Sequence, residues 1–319
     1  MISIIMPVYN EGDQIYYNVM KVMSILLRNK IKHQFFLVDD GSSDNSWLEM
    51  QKLCRDYNNI SIIKLSRNFG KEAALCAALE NISGDACVIL DSDLQHPPEL
   101  IPEMIRLWRD EGYEVIEGIK SNRGKESLLG KITALTFYKL FNKASGINLT
   151  SSSDFKLLDK KVINAWKSMH ESITFFRGMC AWIGYRHIQI PFEVQERTMG
   201  KSKWSIRSLA RLAIQSITSY TSAPLYIVTW IGMALLFIDL ILLIQTLFMK
   251  FSGRALTGFT TVIILILGIG SAILINLGII GIYISKIYDE VKGRPRYLIS
   301  TKQGKGFIHE KYYARADYK

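Results

Sequence analysis

Over its first 120 residues the chain alternates short apolar runs with amphipathic stretches. Residues 2–8, 34–38, 60–65 and 86–90 are runs rich in β-branched or aromatic residues, each ending at polar turn residues, which predicts four strands. A fifth is predicted over 115–118. Between them, Ile15, Val19, Val22, Met23, Leu26 and Leu27 recur at helical spacing. The turn from Asp39 to Ser46 caps a helix over 47–57, and an alanine-rich helix follows Gly70. Strands alternating with helices predict βαβ units, hence an α/β fold whose mostly parallel sheet carries helices on both faces. Such sheets bind ligands beyond the carboxyl ends of their strands.

The pattern changes after residue 120. Leu129, Ile132, Leu135, Leu140 and Phe141 alternate with lysines, giving a basic amphipathic helix that fits either a solvated core helix or a bilayer surface. Ile188, Ile190, Phe192 and Val194 have period two, which predicts a half-buried strand over 187–194. A second amphipathic helix follows, with Ile206, Leu209, Ala213, Ile214 and Ile217 on its apolar face. Residues 225–249 and 259–285 are apolar runs long enough to span a bilayer core, and Asp239 is their one charge. Basic residues crowd the outer flanks of this pair. The expectation is a two-helix transmembrane hairpin with both termini in the cytoplasm. The expected domains are 1–204 (catalytic), 205–224 (interface helix), 225–285 (membrane spans) and 286–319 (a basic cytoplasmic tail).

Composition narrows the partners. The 319 residues carry a net charge of +10, gathered mainly around the apolar runs, which favours a membrane surface over nucleic acid. Four cysteines without CxxC spacing read as reduced core residues of a cytosolic domain. The N-terminus has no basic region and no cleavage site, so no signal peptide is expected. No GxGxxG follows the first strand and no GxxxxGK[ST] occurs, so neither a dinucleotide fold nor a P-loop is supported.

Candidate chemistry gathers at the strand ends: Tyr9, Asn10 and Glu11; Asp39 and Asp40; Arg67 and Asn68; Asp91 and Asp93. Alternation along a strand puts Asp91 and Asp93 on one face, a seat for a hard divalent cation that bridges phosphates. By itself Asp91-Ser92-Asp93 reads more readily as a turn before a proline-started helix, as most such tripeptides do; the other strand ends turn it into a cleft. Beyond the last soluble strand, Arg197, Lys201 and Lys203 lie beside Gly200 and Ser202, a loop able to close on phosphates. A phosphate-binding cleft on a membrane-anchored basic domain implies group transfer from a soluble diphosphate donor to a lipid acceptor.

Four motifs in order carry a family resemblance: Pro7-Val8-Tyr9-Asn10-Glu11, Asp39-Asp40-Gly41-Ser42, Asp91-Ser92-Asp93-Leu94-Gln95-His96-Pro97-Pro98-Glu99 and Arg197-x-x-Gly200-x-Ser202-Lys203-Trp204. The chain resembles family 2 glycosyltransferases, and more closely the polyprenyl-phosphate branch that holds bactoprenol glucosyltransferases and dolichol-phosphate mannose synthases. The resemblance implies a GT-A-like fold and inverting transfer of a sugar from a nucleotide-sugar to polyprenyl phosphate. UDP-glucose is the expected donor, with UDP-N-acetylglucosamine and GDP-mannose as alternatives.

Carried over by position, the resemblance puts Pro7, Tyr9, Glu11 and Asp40 at the nucleotide and Asp91 at the diphosphate end. Asp91, Asp93 and Gln95 would hold Mg2+ or Mn2+, and Arg197, Ser202 and Lys203 would close over the donor. Asp154 matches the acidic position proposed as base. Lys120, Arg123, Lys131 and Lys156 fall near the lipid phosphate, although Lys120 and Lys156 stand where arginine is usual. Small residues in the second apolar run (Gly268, Gly270, Ser271, Gly278) suit packing between subunits, so a homo-oligomer among membrane lipids is expected. A processive polysaccharide synthase is disfavoured, because neither Gln195 nor Gln215 begins a Gln-x-x-Arg-Trp motif. A non-catalytic scaffold would have no reason to keep clustered, mutually repelling carboxylates.

Overall fold

The computed structural model describes residues 1–120, 152–169, 171, 175–192, 223–252 and 258–307. The chain divides into two compact units, one of residues 1–142, 147–203 and 295–319, the other of 143–146 and 204–294. The basic helix expected over 128–141 and most of the interface helix expected over 205–224 lie outside the described residues.

In the first unit the predicted strands form where the apolar runs stand: β1 (Ile2–Val8), β2 (His33–Asp39), β3 (Ile60–Leu65), β4 (Ala86–Ile89), β5 (Val115–Lys120) and β7 (His187–Phe192). Helices α1 (Ile15–Arg28), α2 (Ser46–Asp56), α3 (Lys71–Asn81) and α4 (Ile101–Asp110) separate the first five. β1 is buried at every position and β2 at all but its first, because helices cover both faces of the sheet centre; their sequences are therefore unbroken apolar runs. β7, at one edge, keeps the period-two pattern that its sequence shows.

Two strands escaped the periodicity. β6 (Lys156–Asp159) and β8 (Ile299–Gln303) complete an eight-stranded sheet of order β7-β5-β6-β4-β1-β2-β3-β8. β6 runs antiparallel between β4 and β5, and β8 antiparallel on β3, while the remaining pairs are parallel. Helices α5 (Lys160–Lys167) and α6 (Phe176–Ile183) follow β6, with Asp159 capping α5 by accepting the Lys161 backbone N–H at 2.7 Å.

The segment 286–319, expected to be a basic tail, therefore supplies part of the sheet. Without β8 the backbone groups of β3 would form an unpaired edge, and a short polar strand can fill it. Two cations of this segment, Arg296 and Lys302, are also spent locally. Arg296 donates to the carbonyls of Met169 (2.5 Å) and Glu171 (2.7 Å), Lys302 donates to Asn81 Oδ1 (2.6 Å), and Tyr297 donates its hydroxyl to Glu80. Arg296 thus holds protein carbonyls, where its charge had suggested a membrane flank.

In the second unit, α7 (Ala223–Phe251) and α8 (Phe259–Val291) contain the two apolar runs. Among the described residues one stretch, Gly268–Val291 within α8, is long and apolar enough to cross a membrane by length and composition.

Candidate active site

Strand register assembles the site. β1 runs parallel to β2 with Val8 beside Asp39, and parallel to β4 with Ile5 beside Ile89, so the β1, β2 and β4 ends finish side by side. Beyond them lies a cleft lined by Pro7, Val8, Tyr9, Glu11, Asp40, Asn68, Gly70, Lys71, Asp91, Ser92 and Asp93. The expected donor residues Pro7, Tyr9, Glu11, Asp40, Asp91 and Asp93 are thus brought together, as the parallel sheet requires.

The polar residues after β1 and β2 lace the cleft wall. Asn10, at φ 54°, accepts the Ser43 N–H at 2.9 Å and gives its own N–H to Ser42 Oγ at 2.9 Å. Ser46 Oγ accepts from Glu11 N at 2.8 Å, and Asp44 accepts from Gly12 N at 3.0 Å. Asp40 is 3% exposed and accepts the N–H groups of Phe69 (2.7 Å) and Gly70 (2.9 Å), so it ties the loop after β3 to β2. Burial raises its pKa against those two hydrogen bonds. Gly41, at φ 70°, is needed here: a Cβ would come within 2.5 Å of the Arg67 carbonyl carbon.

Asp93 is exposed and held by Gln95, whose side-chain amide (2.7 Å) and backbone N–H (3.1 Å) both donate to it. Leu94 between them adopts φ 49°, which lets the Asp93 and Gln95 side chains meet. Glu11 faces this carboxylate, and burial, then Asp93 and Asp44, raise its pKa. The rim is thus a negative field on hard oxygen donors, the chemistry that suits Mg2+ or Mn2+. Among the described residues no three His, Cys, Asp or Glu side chains cluster to hold a metal alone, so a cation on Asp91 and Asp93 would complete its shell from ligand oxygens.

The antiparallel β4–β6 pairing brings in Asp154. Ile89 pairs with Lys156, and the same register two residues outward sets Asp154 across from Asp91. Lys71, the first residue of α3, spans the gap, with Nζ 2.6 Å from Asp91 Oδ1 and 2.6 Å from Asp154 Oδ2. Arg177 of α6 grips Asp154 from the other side, Nε at 2.7 Å and Nη2 at 3.1 Å. Burial alone would raise the Asp154 pKa; Arg177 and Lys71 outweigh it and hold the carboxyl well below the usual range. Glu72, next along, accepts the Phe176 N–H at 2.8 Å and is pushed up to about 7, chiefly by burial and then by Asp154.

Lys156 behaves otherwise than its charge suggested. It is 2% exposed and paired with Glu117, itself 1% exposed. Glu117 also accepts from Ser152 Oγ (2.7 Å), Ser153 N (2.6 Å) and Gln189 Nε2 (3.1 Å), with His187 Nε2 at 3.2 Å. Glu117 faces Lys156 and Gln189 in the β5–β6 and β5–β7 registers, so the network is a polar seam inside the sheet. Lys156 is not brought to the cleft, because a buried carboxylate two strands from the DxD turn claims its ammonium. Of Lys120 only the backbone, at the end of β5, is described; Arg123, Lys131, Arg197, Ser202 and Lys203 lie outside the described residues.

Lys71, Glu72 and Arg177 were missed as site residues. Lys71 and Glu72 directly follow the polar end of β3, which was a usable signal. Arg177 had only the hint of a lone cation after two phenylalanines.

The model of the glycosyl transferase family 2 domain matches residues 3–165. An uncharacterized glycosyltransferase of Synechocystis sp. is 35% identical over 96% of this chain and 97% of its own. The bactoprenol glucosyl transferase of Shigella phage SfX is 33% identical over 95% of this chain and 99% of its own. Among solved structures, glucosyl-3-phosphoglycerate synthase from Mycobacterium tuberculosis, in complex with Mn2+, UDP and glucosyl-3-phosphoglycerate, is 20% identical at a TM-score of 0.49, covering 69% of this chain and 80% of that one. The mostly parallel α/β sheet with a carboxylate-lined cleft at its strand ends is GT-A-like. The chain belongs to glycosyl transferase family 2, and it is a glycosyltransferase.

Proposed function

We propose that the protein transfers a sugar, with inversion, from a nucleotide-sugar to a polyprenyl phosphate at the cytoplasmic face of a membrane. The observation that carries this reading is the cleft itself: Asp91 and Asp93 open onto the same space as Pro7, Tyr9, Glu11 and Asp40, with Asp154 held across from Asp91. The acceptor and UDP-glucose as first-choice donor are suggested by the bactoprenol glucosyl transferase that matches nearly end to end.

Tyr9, 48% exposed at the rim, offers a ring for a base, and Asp40 keeps the floor rigid by fixing the loop after β3. Asp91 and Asp93, with Gln95 beside them, would hold a divalent cation whose charge stabilises the departing nucleoside diphosphate. A phosphate monoester has a second pKa of about 6, so the lipid nucleophile is already largely ionised at neutral pH. Asp154, kept ionised by two cations, is a poor proton acceptor and serves to orient acceptor or sugar. Arg197, Ser202 and Lys203 are assigned to closure over the donor, and Lys120, Arg123 and Lys131 to the lipid phosphate; Lys156 is left out of that set. An apolar outer surface, with Phe237, Phe248 and Leu274 exposed along α7 and α8, supports insertion of both helices as a hairpin with cytoplasmic termini. Their small residues support a homo-oligomer.

The test is transfer of labelled sugar by the full chain in lipid vesicles, from a panel of nucleotide-sugars to one polyprenyl phosphate, with and without chelator. Product from UDP-glucose that needs Mg2+ or Mn2+ is expected. No product from any donor would overturn the reading.

A further inference from the structure

We propose that Lys71 is a built-in competitor of the divalent cation for Asp91, which makes cation and donor bind together. The inference rests on the metal-dependent transfer proposed above. Lys71 Nζ sits at 2.6 Å from Asp91 Oδ1, within reach of the oxygens a cation shared with Asp93 would need. A dication and an ammonium held on one carboxylate at contact distance repel each other, so each weakens the binding of the other.

The arrangement allows the release. Asp154 has a second cation, Arg177, at 2.7 Å and 3.1 Å, and remains neutralised when Lys71 turns away. Asp91 has no such reserve among the described residues; its next basic group, His96 Nδ1, is 3.8 Å off and stacked on Phe155. Lys71 stands at the first position of α3 with its side chain 39% exposed, and its four-carbon stem can swing without moving the helix. Arg177 lies at the start of α6 and grips its carboxylate with two N–H groups, the arrangement of a fixed partner.

The consequence is coupling. A bare cation entering the cleft weakens the Lys71–Asp91 pair and offers the ammonium no new partner. A cation arriving with a nucleoside diphosphate offers the displaced ammonium new partners, the phosphate oxygens lying in the cleft that Lys71 lines. Lys71 thereby disfavours the cation alone and favours the cation–donor pair.

The experiment is Mn2+ binding to the full chain in detergent, read from the free Mn2+ paramagnetic resonance signal, with and without UDP. In the wild type, UDP is expected to tighten Mn2+ binding. In Lys71→Met, Mn2+ without UDP should bind about two- to fivefold more tightly, the scale of one lost ion pair, and the gain from UDP should shrink. Lys71→Arg, which keeps the charge, should stay near wild type. A residue that merely supported the fold would shift the affinity the other way. Thermal unfolding verifies that Lys71→Met is folded, and Lys71→Gln serves in its place if it is not. A folded neutral variant that binds Mn2+ no more tightly than wild type overturns the proposal. If the wild type still binds Mn2+ and transfers sugar in that case, the proposed function survives. A wild type that binds no Mn2+ even with UDP overturns this proposal and the metal dependence of the proposed transfer, while transfer itself is judged by the donor panel.

Discussion

Asp154 stands across from Asp91 because Ile89 pairs with Lys156 in antiparallel register, and Lys71 touches both carboxylates at 2.6 Å. Residues 63 positions apart in the chain thus share one ammonium. The pairing joins the DxD turn to the acidic position that the family resemblance had suggested as a base, and it gives that position a different character.

Asp154 is clamped by two cations that hold its pKa well below the usual carboxylate range, which makes it a poor proton acceptor. Asp154→Asn is expected to keep most of its turnover, within about tenfold of wild type, with the shape of its pH–rate profile unchanged. Near-complete inactivity at every pH would instead make the carboxylate indispensable.

Asp93→Ala should reduce transfer by more than about a hundredfold and weaken Mn2+ binding in parallel, since even a residue that only supports a metal ligand commonly costs about 10–100-fold. Equal Mn2+ affinity in the variant and the wild type would remove Asp93 from the ligand set.

Glu72 makes stability depend on pH. Its folded pKa, about 7, exceeds the ordinary 4.5, so the native state keeps a proton that the unfolded chain has already lost. That stabilisation is fully present below pH 4.5 and is lost as pH rises through about 7. Across this window the wild type should lose about 1–3 kcal/mol relative to Glu72→Gln, which cannot titrate there. Denaturant unfolding of both proteins from pH 5 to 8 reads the difference, and parallel curves would contradict it.

Lys156 is expected to matter for folding more than for acceptor binding. Lys156→Met leaves the Glu117 carboxylate buried without its cation, which costs about 3–5 kcal/mol. The double variant Lys156→Met/Glu117→Leu should recover much of that loss. Thermal unfolding midpoints of the three proteins check this, and an unaltered midpoint in Lys156→Met with a raised KM for the lipid would return the residue to the phosphate site.

Much of this protein was legible before folding. Apolar runs bounded by turns located β1 to β5, most plainly β1 and β2, whose burial on both faces leaves little choice but a continuously apolar run. Polar residues at consecutive strand ends located the cleft, since parallel strands all deliver their ends to one side. What the tertiary structure alone decided are the pairings between distant segments. β6 (Lys156-Leu157-Leu158-Asp159) and β8 (Ile299-Ser300-Thr301-Lys302-Gln303) are short and carry polar or charged residues in place of an apolar run, and their partners are chosen by which sheet positions remain open. The same reason governs the charges. Lys71, Arg177, Lys156 and Arg296 are alike as cations in the sequence, and only the register and burial of their neighbours turn the first two into partners of Asp154, the third into the counter-ion of Glu117, and the last into a donor to the carbonyls of Met169 and Glu171.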